Sequence, residues 1–554
     1  MKPPEFIGAT QAQLDALLAL AKPTFPASDY ELLKGILDTF SYVMRALQNA
    51  KTSLKRFRQM LFGASTESAR NLIKGASTPV EQPSTADTPP GAETSTDKST
   101  PEAPSDQAAK PASPQPPRVG HGRNGADKYS NAPVIQIGVA NLKSGDLCPE
   151  CKVGRVYDAP PKTLVRVVGQ PPLTATVFKL EHLRCHLCDE TVTARLPESA
   201  SPSKYDASCA SMLAVLRYGS GVPFYRLEGL QRSLNVPLPD ATQWQIVHEA
   251  VPAPEAVFDE LTRQAAQGDV LHCDDTPAKV LSLVVDRNKR EAAGQTVKNK
   301  AINTSGIVAL LPQGNQVALF FTGHAHAGTN LSNVLAQRAS ELSSPIQMSD
   351  ALAANFVGEF ARIIALCLTH GRRMFVGVID NFPQDCAYVI DVLGKIYAHD
   401  AQAREMNLSA GERLCYHQAH SAEPMQELNL WMTAQLDQHR VEPNSGLGKA
   451  FAYMLKHWEG LTLFLREEGA PLDNNLCERA LKRAILHRKN SMFYRTLNGA
   501  RVGDIYMSLI HTCELCKVNP FEYLQALHTH AQDVMSAAAQ WLPWNYREQL
   551  ARPA

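Results

Sequence analysis

Between Ala76 and Pro117 the chain lacks the means to build a core. Ten of those 42 residues are proline, none is aromatic, and Val80 is the only branched aliphatic. A run of Pro, Ser, Thr, Ala and acids buries too little apolar surface to offset the entropy of ordering its backbone. The segment reads as a linker, assigned with its flank to 76–135. It separates an N-terminal region, 1–75, from everything downstream.

Upstream, residues 29–62 carry a seven-residue repeat. Leu33, Phe40, Leu47, Leu54 and Leu61 share one heptad position, with Ile36, Val43, Ala50 and Phe57 three residues later. Such a seam is a coiled-coil pattern, most simply a homo-oligomer zipper; an amphipathic helix packed on its own chain gives the same pattern. Past the linker, RVGHGRNG (118–125) is basic and Gly-rich, suited to a phosphate-contacting arm or an ordinary loop.

Residues 136–200 hold two CxxC pairs, Cys148/Cys151 and Cys185/Cys188, joined by the strand-like TLVRVV and ATVFKLEHL. Two thiol pairs on this spacing predict a zinc ribbon, in which one structural Zn²⁺ replaces a core too small to build. Residues 201–266 then read as helical. YRLEGLQRSL and ATQWQIVHEAV flank VPLPD, a pattern open to a DNA-binding helix-turn-helix or to two helices that merely pack.

With 554 residues, the chain exceeds one core. Its second half, 267–530, changes to apolar runs that end in acids. DVLHCDDTPAKVLSLVV (269–285) predicts a strand, a turn at Thr276-Pro277 and a second strand. SGIVALL and QVALFFTG predict a strand pair, LSNVLAQRA a helix, and PIQMSDALAANF a short strand closing on Asp350. Strands and helices with acids at strand ends point to an α/β sheet with a Mg²⁺ site at its edge, although strand-end Asp residues also cap turns. Residues 379–465 read as amphipathic helices, lying between the segments 267–378 and 466–530. Residues 531–554 form a C-terminal tail.

Charge gives the next constraint. The chain has 55 Lys plus Arg and 55 Asp plus Glu, so a globally basic nucleic-acid coat is excluded. The zero is a sum over unlike parts. From Arg479 to Arg501 there are seven basic residues and no acid, directly behind Glu478. A carboxylate leading such a stretch suits a metal ligand whose neighbours Lys482, Arg483, Arg488, Lys489, Arg495 and Arg501 grip phosphates; a solvated helix is the plainer reading. Cys513 and Cys516 make another CxxC, but on an apolar helical pattern that predicts core. No run reaches the roughly 18 apolar residues that span a bilayer. Lys2 is not followed by an apolar stretch, so a cytoplasmic, non-membrane protein is expected.

The run DNNLCERALKRAILHRKNSMF, followed by GARVGDIYMSLIHTCELCKVNPFEYL, resembles the C-terminal signature of the insertion-sequence-66 family of bacterial transposases. HCDDTP, IQMSDALAANF and CLTHGRRMF resemble that family's His-x-Asp-Glu-Thr box, second-aspartate strand and Cys-x-x-His stretch, in the same order. The coiled coil ending in LFGASTES, the linker and the ribbon fit its layout. The resemblance implies a multi-domain α/β chain: an RNase H-like DDE catalytic domain interrupted by a helical insertion. It maps the three carboxylates, holding two Mg²⁺ (Mn²⁺ is an alternative), onto Asp274, Asp350 and Glu478. Asp275 stands where the family has Glu and shares the first ligand role as an alternative. Cys367 and His370 are expected to support the site by orienting it or a flipped nucleotide rather than by binding zinc, a buried Cys and a packing His being the plainer alternative. DNA is the implied partner, both element ends and target, with accessory proteins of the same element and a place at the bacterial nucleoid. The rival functions are a non-catalytic DNA-binding regulator, or domesticated transposase, and an RNase H-like nuclease or resolvase without strand transfer.

Overall fold

The computed structural model describes residues 203–295, 301–356, 358 and 360–552, with shorter stretches inside 16–37 and 134–197. Residues 29–35 and 37 of the heptad segment are helical; the rest of that repeat, the linker 76–117, the arm 118–125 and both Cys185 and Cys188 lie outside the described residues. The chain divides into two units, Glu81–Pro172 and a larger one made of Met1–Val80 with Leu173–Ala554.

In the smaller unit the first cysteine pair forms a knuckle. Leu147 bridges Arg155 antiparallel, the Cys148 amide donates to Gly154 O at 2.7 Å, and the Lys152 amide to Cys148 O at 2.9 Å. Lys152 adopts φ 57°, which turns the Gly154 amide toward Cys151 Sγ at 3.4 Å. Main-chain amides of Val153 and Gly154, with Cys148, hold the Cys151 thiol below its ordinary range, as a thiolate ligand requires.

Past Leu173 the larger unit carries an antiparallel hairpin, β1 (His182–Arg184) and β2 (Thr191–Thr193). Of the expected strand ATVFKLEHL only its last two residues join a ladder. Four helices follow: α1 (Ala207–Ala214), α2 (Phe224–Ser233), α3 (Asp240–Glu249) and α4 (Pro252–Ala266). Asn235 closes α2 at φ 59°, a left-handed turn that asparagine tolerates. Leu227, Ile246 and Val247 of α2 and α3 face the core.

Five strands make the central sheet: β3 (Val270–Pro277), β4 (Asn303–Leu310), β5 (Gln316–Gly323), β6 (Ile346–Ser349) and β7 (Ile363–Leu366), in the order β5-β4-β3-β6-β7. The first three form an antiparallel meander, and β6 and β7 run parallel to β3. Val270 to Cys273 are buried without alternation, because both faces of the sheet are covered. LSLVV, expected as a strand, is instead the start of α5 (Leu281–Ala292). No residue of α5 is buried; the charged run after the valines and an Asp286–Arg290 ion pair at 2.9 Å favour an exposed helix over a strand with no sheet to join.

Helix α6 (Ala327–Leu335) joins β5 to β6. Beyond β7 come α7 (Leu368–Val376), α8 (Pro383–Glu405), α9 (Ala410–His420), α10 (Ala422–Asp437), α11 (Gly446–Lys456) and α12 (Trp458–Leu461). Their apolar faces build a second core with the β6–β7 side of the sheet, around Met348, Leu366, Leu393, Met432 and Phe451. The chain returns in α13 (Asn475–Ser491) and α14 (Leu497–Leu515), then α15 (Pro520–Thr529), α16 (Ala531–Ser536) and α17 (Tyr546–Leu550).

Edge strand β5 is sealed by α14. The amides of Ala318, Phe320 and Thr322 donate to Thr512 Oγ1, Ser508 Oγ and Asp504 Oδ2 at 3.1, 2.9 and 2.7 Å. Every second strand residue meets every fourth helix residue, since two strand residues rise ~6.6 Å and four helix residues ~6 Å. Burial pushes the Asp504 carboxyl up to about 7 against the hydrogen bonds from Thr322. Cys513 is buried in the core on the same helix. No helix among the described residues is long and apolar enough to cross a membrane.

Candidate active site

Strand register sets the first two carboxylates. The last β3–β6 pair is His272 with Met348; two residues on lie Asp274, still in β3, and Asp350, the first residue past the end of β6. Asp274 also pairs across the sheet with Gly306 of β4. A Cβ at Gly306 would sit 2.9 Å from Leu481 Cδ2 and 3.3 Å from Cys477 Sγ, so glycine is what lets α13 lie close on this face. Directly paired residues point to one side of a sheet. Asp274 therefore faces α13, whose first turn carries Glu478.

Burial is the largest influence on Asp274 and pushes its carboxyl up to about 7; the amide of Asp275 lowers it, while Asp350, Glu478 and Asp275 add to the rise. The three acids thus share one electrostatic neighbourhood. Asp350 Oδ1 accepts from the Asn355 side chain and, at 3.2 Å, from the Leu352 amide. Glu478 is gripped by Arg373 through two contacts, Nη1–Oε1 at 3.2 Å and Nη2–Oε2 at 2.8 Å.

Asp275 does not join them. Successive strand residues point to opposite faces, and Asp275 accepts from Ser305 Oγ at 2.6 Å, contacts His326 Nδ1 at 3.1 Å and accepts the Ala327 amide at 3.0 Å. It caps the N-terminus of α6, where a carboxylate is favoured.

Cys367 and His370 do reach the site. Cys367 Sγ accepts the Asn474 amide at 3.2 Å, and burial pushes its thiol up to about 11. His370 Nδ1 lies 3.9 Å from Glu478 Oε1. Among the described residues, Cys367, His370 and Glu478 form the one set of three donors within 4.8 Å of one another. These three offer a sulphur–nitrogen–oxygen set, suited to a softer ion than Mg²⁺, whereas Asp274, Asp350 and Glu478 are linked by their electrostatic influence on Asp274.

Asn474 and Arg373 are absent from the residues expected from sequence. Asn474 is buried; its side chain contacts His272 Nδ1 at 3.2 Å and donates to Cys273 O at 2.9 Å. A usable signal for Arg373 was its place three residues after His370, one turn along the same helix face.

The basic residues divide. Arg483 pairs with Glu514 and donates to Gly219 O at 3.1 Å. Arg488 donates to Pro277 O and, at 3.2 Å, to Thr276 Oγ1. Arg501 binds Glu255 at 2.6 Å. Lys482, Lys489 and Arg495 are exposed.

Three curated proteins of Sinorhizobium fredii resemble parts of this chain. The uncharacterized protein y4jD is 30% identical over 189 residues, 33% of this chain and 36% of its own. The uncharacterized protein y4hP is 32% identical over 146 residues, 26% of each chain. The uncharacterized protein y4qI is 23% identical over 373 residues, 64% of each. This chain thus spans less than two thirds of each relative. The profile of the Transposase IS66 family matches residues 202–502, from just before α1 into α14 and across the whole carboxylate cluster, and the chain belongs to that family.

Proposed function

We propose that the protein is a DDE transposase that binds the inverted ends of its element, cuts them and joins them to target DNA. The observation that carries this reading is the register that sets Asp274 beside Asp350, facing the helix that bears Glu478. The order β5-β4-β3-β6-β7 supports an RNase H-like catalytic domain, with the helices between 383 and 461 as its insertion.

The oxygen set Asp274, Asp350 and Glu478 fits two Mg²⁺, or Mn²⁺. When bound, such ions supply Lewis acidity to the attacking oxygen and relieve charge on the leaving one. This chain's own residues do the positioning. Asn355 fixes the Asp350 carboxylate, Asn474 ties the start of α13 to β3, and Gly306 admits that helix to the sheet. Exposed Lys482, Lys489 and Arg495 would neutralise DNA phosphates. The knuckle at Cys148 and Cys151 supports the structural zinc expected from sequence. Oligomerisation through the N-terminal heptads and accessory proteins complete the proposal.

The test supplies full-length protein, Mg²⁺ and labelled element-end DNA. Cleaved and joined products are expected, with a loss of at least about a thousandfold in Asp274→Asn or Glu478→Gln, since metal placement underlies such chemistry. Undiminished cleavage in either variant overturns the assignment. Cleavage without joined ends favours a nuclease or resolvase, and salt-sensitive binding without nicking a DNA-binding regulator.

A further inference from the structure

We infer that Arg373 is a latch on Glu478, a built-in counter-cation that a divalent metal ion must displace before the third carboxylate serves as a ligand. The inference rests on the reading of Asp274, Asp350 and Glu478 as a metal site.

The geometry is specific. The guanidinium meets both oxygens of Glu478, at 3.2 and 2.8 Å, and its Nη1 lies 3.4 Å from His370 Nε2. A bidentate fork is the strongest pairing that a carboxylate and a cation make through hydrogen bonds. It is not a chance surface contact. Cys367 is the N-cap residue of α7 and Asn474 that of α13, and the Asn474 amide donates to Cys367 Sγ at 3.2 Å. The two helix starts are therefore tied together, and the pair sits within two turns of that tie. The Glu478 side chain is 21% exposed and that of Arg373 41%. The arginine is the partner with room to swing away.

Charge explains the need. Three carboxylates gathered at one sheet end repel one another, and a fixed cation on one of them makes the metal-free site tolerable. The same cation opposes a divalent ion at Glu478, because like charges so close repel and the fork already occupies an oxygen pair. His370 Nδ1 is buried with no hydrogen-bond partner among the described residues, 3.9 Å from Glu478 Oε1. The carboxylate is thus held by the arginine fork rather than by its histidine neighbour. A residue that merely positioned Glu478 for metal would act in the opposite sense, so the sign of one measurement decides.

The experiment titrates full-length wild type, Arg373→Gln, Arg373→Lys and Asp274→Asn with Mn²⁺, followed by the paramagnetic signal of the free ion and by thermal unfolding. Arg373→Gln is expected to bind Mn²⁺ about tenfold or more tightly than wild type, since a neighbouring like charge is gone. Its metal-free melting temperature should fall, and its rise on adding Mn²⁺ should exceed that of wild type. Arg373→Lys keeps the charge without the fork and should lie between the two; it also reports if the glutamine variant fails to fold. Equal or weaker Mn²⁺ binding in a folded Arg373→Gln overturns the latch, as does no binding in any chain. Binding that Asp274→Asn leaves untouched overturns the metal reading itself, a result distinct from failure of the latch alone.

Discussion

The side-chain amide of Asn474 donates to the carbonyl of Cys273 at 2.9 Å, joining the residue before Asp274 to the one that opens the helix of Glu478. The other end of the same side chain contacts His272 Nδ1 at 3.2 Å, and burial keeps that imidazole neutral by lowering it to about 4. Asn474→Ala would leave a buried carbonyl and a buried ring nitrogen unpaired, at roughly 1–3 kcal/mol each. It also loosens the spacing between two metal-holding carboxylates, where a displacement of ~1 Å costs about a hundredfold in rate. Urea unfolding and cleavage of element-end DNA should therefore both respond. A variant with normal stability and normal cleavage would remove Asn474 from the argument.

The seal on β5 makes a prediction about stability alone. Ser508→Ala strips the acceptor from the Phe320 amide, and Thr512→Val strips the one from Ala318. Both sites are fully buried, so water cannot replace the lost partner, and each change should cost about 1–3 kcal/mol. The double variant additionally exposes an edge strand with unmet amides, which invites pairing between molecules. Chemical denaturation measures the first effect and light scattering on mild heating the second. Changes within about 0.5 kcal/mol would mean that α14 seals the edge by packing alone.

How far the sequence could be read depended on the range of each contact. Apolar runs that stop at an acid gave β3 and β6 with Asp274 and Asp350, because strand burial on both faces is a local property. Alternation along β3 also separates Asp275 from Asp274, a consequence that the sequence reading left undrawn. LSLVV misled because a β-branched run says nothing of whether a neighbouring strand exists. The fate of the basic residues was illegible. Arg483, Arg488 and Arg501 find partners at Gly219, Pro277 and Glu255, and no periodicity reports contacts at that separation. The pairing of Arg373 with Glu478 was hidden for the same reason, since the two lie 105 residues apart.

Acid should weaken the fold through two histidines, His528 and His487. His528 bridges Ser211 Oγ at 2.9 Å and Tyr506 OH at 3.3 Å, and burial lowers it to about 4. His487 stacks between Tyr218 and Tyr494, and burial, with the Arg217 charge, lowers it to about 3. A depressed folded value means that the unfolded chain takes up the proton first. The stability these groups contribute is complete above pH ~6.5 and drains away as pH falls toward 4 and below. On the order of 2 kcal/mol for each is expected between pH 7.5 and 4.5. His528→Gln should flatten that part of the profile, and an unchanged slope would rule the histidine out as its source.

DNA binding should separate the basic residues that the structure separates. Lys482, Lys489 and Arg495 are exposed on and just after α13, so each is available to a phosphate. Replacing any one by Ala should reduce the slope of log affinity against log salt by about 0.9, with little effect on unfolding. Arg488→Ala should behave differently. Its guanidinium holds Pro277 O and Thr276 Oγ1 at the end of β3, and its loss should lower stability by roughly 1–3 kcal/mol while leaving the salt slope nearly intact. Salt titrations of element-end DNA binding, run beside urea unfolding of each variant, separate the two behaviours. If Arg488→Ala lowers the slope as much as Lys489→Ala does, Arg488 leaves its protein partners on binding, and the helix offers a fourth cation to the DNA.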